Sequence, residues 1–233
     1  MSESSFDKDK QMALLALVLV GIAPTVSIIT GFALKAGLIA IIVFIITKIW
    51  IFGLPTYWHL KIDKQQISWS KPEKGGFLVA TGLGIGMVIV IVAAYLLLGE
   101  LMMDADLLRT ILEPVGLTVA WKFGLAILFW VFINSVLEEY VFRWFITSKA
   151  ELLLDGKWKP VFLSAAVFTL HHTIALSFFI SPLGTVIASV GVFVGGTIFS
   201  WVYVTYRSVW VAWITHALAD VAIFAIAWYL IIG

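Results

Sequence analysis

Seven stretches of the sequence are long and apolar enough to cross a membrane as helices, and this feature limits the fold more than any other. A membrane-spanning helix needs about 20 mainly apolar residues at a rise of about 1.5 Å each. In addition, 62% of the residues are apolar and only 12% are charged, which is too few charges for a water-facing surface. The sequence therefore predicts an all-α, polytopic transmembrane bundle of about seven spans, with a range of six to eight. The stretches lie near residues 12–30, 36–54, 76–98, 123–147, 160–180, 184–204 and 209–232.

The positive charges in the loops predict how these spans are oriented. If the N-terminus is cytoplasmic, the inner segments hold ten Lys and Arg residues and the outer segments hold three, which are Lys35, Arg109 and Lys122. Cytoplasmic loops of membrane proteins carry an excess of Lys and Arg. We therefore predict a cytoplasmic N-terminus, with the loop at 99–120 on the opposite side of the membrane.

Composition excludes several classes of function. The chain has no cysteine, so it has no disulfide, no thiolate nucleophile and no Cys-ligated metal. Its formal net charge is +1 and it has no basic run, so we expect no nucleic-acid partner. The first apolar run is too long for a cleaved signal peptide and is predicted to be a retained helix. The sequence does not indicate an oligomeric state.

Ionisable residues inside the predicted spans are the main indication of function. A charged residue at the centre of a span costs about 2.5–3.5 kcal/mol on insertion scales, so each one needs an explanation. The ionisable residues are Glu138, Glu139, Arg143, His171, His172, His216 and Asp220, on the fourth, fifth and seventh spans. At a rise of about 1.5 Å per residue, Glu138, His172, His216 and Asp220 lie about 12–18 Å below the inner face, with Arg143 and His216 somewhat nearer to that face than the others. Three helices thus bring polar groups to one layer.

Three pairs within these spans have the i,i+4 spacing that places side chains on one face of an α-helix: Glu139 with Arg143, Phe168 with His172, and His216 with Asp220. We expect the arginine to hold Glu139 ionised. Adjacent helical residues diverge by about 100°, so Glu138 is free for a different role. By the same argument we expect His171 to point away from His172 and to be a bystander.

One carboxylate and two imidazoles in a secluded pocket suit peptide hydrolysis. They can activate a water molecule, protonate a leaving amine and stabilise an oxyanion. We expect no metal or other cofactor, but Zn²⁺ held by Glu138, His172 and His216 stays open as an alternative. Two other classes of protein also stay open, a proton-coupled transporter and a non-catalytic immunity or scaffold protein of the membrane.

The polar motifs resemble those of the CAAX protease and bacteriocin-processing (Abi) family of intramembrane glutamic endopeptidases. That family has the pattern EExxxR, then FxxxH, then HxxxN or a similar polar residue. This chain reads EEYVFR at 138–143, FTLHH at 168–172 and HALAD at 216–220. The resemblance covers roughly residues 121–225, and the first 120 residues resemble only generic spans.

The resemblance implies an intramembrane endopeptidase with the first glutamate, Glu138, as the general base. His172 and His216 would hold the water or stabilise the oxyanion, and Glu139 and Arg143 would support them, with Phe168 as an apolar wall. Asp220 stands where the best-known members have asparagine. An ionised carboxylate cannot donate a hydrogen bond to an oxyanion, so Asp220 is expected to be protonated, to orient a histidine, or to favour a cation.

The resemblance also divides the chain and implies a setting for it. Residues 1–120 are predicted to form an N-terminal transmembrane region of about three helices, and residues 121–233 a catalytic transmembrane core. The expected partners are the lipid bilayer and a membrane-associated peptide or protein substrate, either a CAAX tail or a processed peptide such as a bacteriocin. The expected location is a bacterial-type cell membrane, which the chain crosses several times.

Overall fold

A computed structural model of the protein describes residues 3–33 and 37–233, and of these the side chains of 3–7, 32 and 33 are not described. Lys35, which the orientation argument uses, lies outside the described residues. The described part is an all-α bundle without strands. Its eight helices are α1 (Glu3–Ile28), α2 (Leu38–Tyr57), α3 (Phe77–Met102), α4 (Ala105–Leu112), α5 (Ala120–Leu153), α6 (Trp158–Leu176), α7 (Pro182–Tyr206) and α8 (Val209–Ile231).

The all-α polytopic fold predicted from the sequence is confirmed. Among the described residues, six helices are long and apolar enough to cross a membrane, namely α1, α2, α3, α5, α7 and α8. The remaining predicted span, the fifth, corresponds to α6, which has 19 residues but is more polar because it carries Lys159 and the two histidines. The sequence did not predict the short helix α4, which begins at an Asp104 N-cap that accepts from the backbone N–H groups of Asp106 and Leu107.

Helix α5 is the longest helix, with 34 residues, and it contains two π-helical segments. These are Trp130–Asn134 and Glu139–Thr147. π-Helical turns inside α-helices are rare and are found frequently at functional sites. The second segment begins at the second glutamate of EEYVFR, so the motif has a wider turn than the α-helical spacing argument assumed.

Two side-chain hydroxyl groups hydrogen-bond to a backbone carbonyl group of the second π-helical segment. The Thr147 and Ser164 hydroxyl oxygens each lie 2.9 Å from the carbonyl oxygen of Phe142 and 2.9 Å from each other. Both residues are fully buried, where an unpaired carbonyl would be costly. This network fixes α6, which carries Ser164, against α5 beside the polar motif.

The other helices pack around the polar part of α5. Helices α6, α7 and α8 all contact its second π-helical segment, while α1 contacts α2, α6 and the end of α5. Helix α3 packs along α8. Trp213 Nε1 donates to Ser135 Oγ at 2.9 Å, which sets the position of α8 relative to α5. His216 lies one turn farther along α8, facing the glutamates.

Two glycines allow the close helix packing near the site. A Cβ atom at Gly196 of α7 would lie 3.2 Å from Phe168 Cδ1 and 3.3 Å from Ala165 Cα. A Cβ atom at Gly84 of α3 would lie 2.5 Å from Leu218 Cδ1 on α8. Small residues let helices approach closely in a membrane. Here Gly196 lets α7 approach α6 and Gly84 lets α3 approach α8, and α6 and α8 are the helices that carry the histidine motifs.

Ion pairs join the helices at the end of the bundle where α5 terminates. Arg207, between α7 and α8, makes two hydrogen bonds of 2.7 Å to the carboxylate of Glu151 on α5. Lys149 of α5 pairs with Asp63, just after α2. The bidentate pairing of Arg207 with Glu151 is geometrically specific, and together the two ion pairs join the end of α5 to three other helices.

Candidate active site

Glu139 and Arg143 form a buried ion pair at the centre of the bundle. Both side chains are 0% exposed, and Arg143 Nε lies 3.4 Å from Glu139 Oε2. The guanidinium also lies over the rings of Phe168 and Phe199, 4.4 and 5.0 Å from their centroids. Cation–π contacts of this kind are strongest where water is excluded. The pairing of Glu139 with Arg143 that the spacing predicted is therefore present.

His216 connects the two glutamates of the motif. Its Nδ1 lies 2.8 Å from Glu139 Oε1, and its Nε2 lies 3.6 Å from a carboxylate oxygen of both Glu138 and Asp220. Its ring stacks on Phe199 at a centroid distance of 4.6 Å. Both nitrogens face carboxylates, which can only accept hydrogen bonds when ionised, so the imidazolium form suits this position best.

Glu138 lies beside this closed network but is not enclosed by it. Its side chain is 22% exposed, whereas that of Glu139 is 0% exposed. The amide nitrogen of Asn134 donates to Glu138 Oε1 at 2.8 Å. Glu138 therefore has one oriented oxygen and access to the space beside α5.

The two histidines of α6 lie on the other side of Glu138. His172 Nδ1 lies 2.8 Å from the carbonyl oxygen of Phe168. Because a carbonyl can only accept, Nδ1 carries the hydrogen and Nε2 is left with a lone pair. The Phe168 ring lies 4.3 Å from the imidazole, as the i,i+4 spacing predicted.

The expectation that His171 points away from His172 is wrong. The two ring centroids are 4.1 Å apart, and His171 is buried and stacked on Phe142 at 5.2 Å. One possible ligand atom each from Glu138, His171 and His172 lies within 4.8 Å of the others. The angle between successive Cα–Cβ directions does not fix where long, rotatable side chains end, and here both rings turn toward α5.

This cluster also has a donor set that could hold a metal ion. One carboxylate and two imidazoles are the ligands of several catalytic zinc sites. Within the described part of the chain the compact set is Glu138, His171 and His172, whereas the alternative drawn from the sequence had His216 in place of His171. The contacts of His216 explain the difference, because its Nδ1 already donates to Glu139.

A cavity of about 250 Å³ opens onto the cluster. Residues of α1, α2, α5 and α6 line it, including Glu138, both histidines of α6 and Asn134. Most of the remaining wall is apolar, with Ile28, Phe44, Ile51, Phe52 and Leu137 among its residues. The first two helices, which have no recognisable motif, therefore form one wall of the space above the polar cluster.

Asn134 is a residue of the site that the sequence motifs did not predict. It lies four residues before Glu138 and is polar in the middle of an apolar stretch. Such a residue in a span is unusual enough to be noticed, and its i,i+4 spacing to Glu138 is the signal that could have identified it.

Together these features define a class of protein: a multi-pass membrane helix bundle with a carboxylate–histidine cluster facing an intramembrane cavity. Comparison with known families makes the class specific, since residues 120–222 match the family described as type II CAAX prenyl endopeptidase Rce1-like. This region contains all three polar motifs and is similar to the CAAX protease family, the family that the motifs resemble. No curated protein and no solved structure matches the chain.

The family supports a CAAX-type intramembrane endopeptidase, and the apolar helices support an integral, multi-pass membrane protein. A protease in this position implies a membrane-associated peptide substrate and a lipid environment. The matched region begins at the first residue of α5, while the cavity wall also includes residues of α1 and α2. The N-terminal helices thus add to the site from outside the matched region.

Proposed function

We propose that this protein hydrolyses a peptide bond of a membrane-associated CAAX-type substrate by means of a water molecule that Glu138 activates. The observation that carries the proposal is the position of Glu138. Its carboxylate lines the cavity, lies 3.6 Å from His216 Nε2, and belongs to the same compact cluster as His172. A general base must reach the proton that it abstracts, either directly or through one water molecule.

The first step is attack by water on the scissile carbonyl carbon. Glu138 takes a proton from a water in the cavity while the water oxygen bonds to the carbon, and the carbonyl becomes a tetrahedral oxyanion. Asn134 holds the other carboxylate oxygen of Glu138, so the base is oriented before the substrate arrives. The lone pair of His172 Nε2 faces the same space and accepts a hydrogen bond from the water.

The second step is breakdown of the tetrahedral intermediate. Protonated Glu138 returns its proton to the leaving nitrogen, the carbon–nitrogen bond breaks, and the amine departs. The imidazolium of His216 stabilises the ionised form of Glu138 between turnovers and the negative charge that develops beside it. In this scheme Asp220, whose Oδ1 lies 3.6 Å from His216 Nε2, orients the imidazolium, which is one of the three roles expected for an aspartate at this position.

Glu139 and Arg143 have a supporting role in this scheme. Arg143 neutralises Glu139, and Glu139 fixes the tautomer and the ring plane of His216. Neither side chain is accessible from the cavity, since both are 0% exposed. If Zn²⁺ were bound by Glu138, His171 and His172, it would supply Lewis-acid activation of the same water.

The test is cleavage of a prenylated CAAX peptide by the purified protein in detergent, with Glu138→Ala beside the wild type and with a chelator as a second variable. We expect cleavage by the wild type, with or without chelator, and none by the variant. Absence of cleavage by a folded wild type would overturn the proposal. Loss of cleavage on chelation, with recovery on adding Zn²⁺, would replace the metal-free scheme by the metal-bound one.

A further inference from the structure

The mechanism leaves one charged side chain of the cavity unused, which is Lys48 of α2. It is the eleventh of the 20 residues of this helix, about 15 Å from the helix start at a rise of 1.5 Å per residue. Lysines near the ends of spans extend their ammonium groups to the interface, but this one lies in the middle. A charge at that depth is expensive and typically marks a ligand or substrate pathway.

Lys48 faces the catalytic cluster across the cavity. It lines the same space as Glu138 and His172 and is close enough to interact electrostatically with His171. Within the described residues its ammonium group has no ion-pair or hydrogen-bond partner, and it lies 5.3 Å from the centroid of the Phe44 ring. The cavity therefore has a free cation on one wall and the proposed general base on another.

Such an arrangement suits a ligand with an anionic end and an apolar body. Besides the two charged groups, the lining of the cavity includes Ile51, Phe52, Leu137 and Val141, which can hold aliphatic side chains. A CAAX tail has two aliphatic residues between its cysteine and its last residue, and it ends in a free carboxylate. An ammonium group in a mainly apolar cavity pairs strongly with a carboxylate.

We infer that Lys48 binds the C-terminal carboxylate of the substrate and thereby sets the distance from the chain end at which the peptide is cut. The inference rests on the proposed function and adds a specificity determinant outside the family's matched region, which begins at residue 120. Binding of the terminal carboxylate by Lys48 makes the enzyme selective for the C-terminal end of a peptide. A peptide whose terminal charge is removed should lose most of its affinity while its aliphatic residues still fit.

The experiment compares three prenylated peptides in neutral detergent: the free acid, the C-terminal amide, and an amide whose last residue is glutamate. Binding is measured to the Glu138→Gln variant, so that no turnover interferes, with Lys48 intact and with Lys48→Met. We expect the free acid to bind on the order of 10- to 100-fold more tightly than the amide when Lys48 is present. With Lys48→Met the difference should disappear, and with Lys48→Arg it should persist.

Lys61→Met is the matched control, because Lys61 is an exposed lysine that follows α2 and lies outside the cavity. It should keep the full preference for the free acid. Equal binding of acid and amide to the protein with Lys48, or the same loss for both peptides in Lys48→Met, would overturn the inference. So would tight binding of the glutamate amide, or competition by anionic lipid that depends on Lys48, since these would assign the site to a side chain or to a headgroup.

Turnover gives an independent measurement and separates the two proposals. In the protein with an intact Glu138, Lys48→Met should raise KM for the free acid more than it lowers kcat, because the contact is made in the bound ground state. If the wild type cleaves nothing but the binding preference is present, the proposed function fails and the carboxylate site remains. If cleavage is normal and indifferent to Lys48, only the carboxylate site fails.

Discussion

The two glutamates of the EEYVFR motif are neighbours in the chain but lie in different surroundings. On the closed side of α5, Glu139 is paired with Arg143 and hydrogen-bonded to His216, and no part of it reaches solvent. On the open side, Glu138 faces the cavity and is 22% exposed, with one hydrogen bond from Asn134. The comparison indicates a division of labour, in which one carboxylate maintains the network and the other is available to a water molecule.

The largest expected effect on activity is that of Glu138→Gln on the open side. Glutamine keeps the size of the side chain and its acceptance from Asn134 but cannot take a proton. Loss of a positioned general base lowers rates on the order of 10²–10⁴-fold. We expect that loss of peptide cleavage with an unchanged melting temperature. Near-normal turnover by this variant would mean that the roles of the two glutamates are reversed.

Changes on the closed side should affect folding as well as activity. Removing one partner of a buried ion pair costs about 3–5 kcal/mol, because the other charge is left uncompensated. Glu139→Gln and Arg143→Met should therefore each lower the melting temperature and the yield. The double variant should lose less stability than the sum of the single variants, as a double-mutant cycle would measure. Additive losses would show that the two charges do not depend on each other.

Variants of the two histidines of α6 also test the proposed roles of the two glutamates, since both histidines lie next to Glu138. In a metal-free site, His172→Phe should lower kcat strongly, because phenylalanine keeps a ring but has no lone pair to accept a hydrogen bond from the water. His171→Phe should have little effect, because that ring packs on Phe142. Equal losses for both variants, together with sensitivity to chelator, would indicate instead that Glu138, His171 and His172 bind a metal ion as a unit.

A smaller effect is expected for Asn134→Ala. Hydrogen bonds to charged groups contribute about 1.5–3 kcal/mol, and here the bond orients the base without taking part in bond breaking. We expect kcat to fall about tenfold, with KM little changed. Asn134→Asp places a second carboxylate beside Glu138 and should be worse than alanine. If alanine and aspartate behaved like the wild type, the orientation of Glu138 would not depend on this residue.

The smallest effect on activity is expected for two cysteine variants that test the orientation of the bundle. Asp106→Cys lies in the 99–120 segment and Lys74→Cys in the loop before α3, both at exposed positions. Because the chain has no native cysteine, each variant has a single reactive thiol. The positive charges predict labelling of position 74 from the cytoplasmic side only and of position 106 from the other side only. The reverse pattern would invert the predicted orientation.

The pattern of apolar stretches was sufficient to predict the all-α bundle and the approximate number of its spans. The reason is physical: a bilayer leaves each backbone group only its own helix for hydrogen bonding, so a run of about 20 apolar residues has few alternatives to a spanning helix. The pairing of Glu139 with Arg143 was likewise predictable. The pair depends on two residues that are about one helical turn apart. Side chains at this spacing stay close together when the α-helix changes to a π-helix.

Contacts between helices could not be obtained in this way. The packing of α2, α6 and α8 against α5 decides three features of the site. His216 bridges Glu138 and Glu139, His171 turns toward its neighbour, and Lys48 faces the cluster. No sequence spacing specifies those distances, because side-chain rotation and helix packing are set by neighbours distant in the chain. The sequence by itself determined which helices carry charge and at what depth, whereas only the tertiary structure decided which carboxylate is open to water.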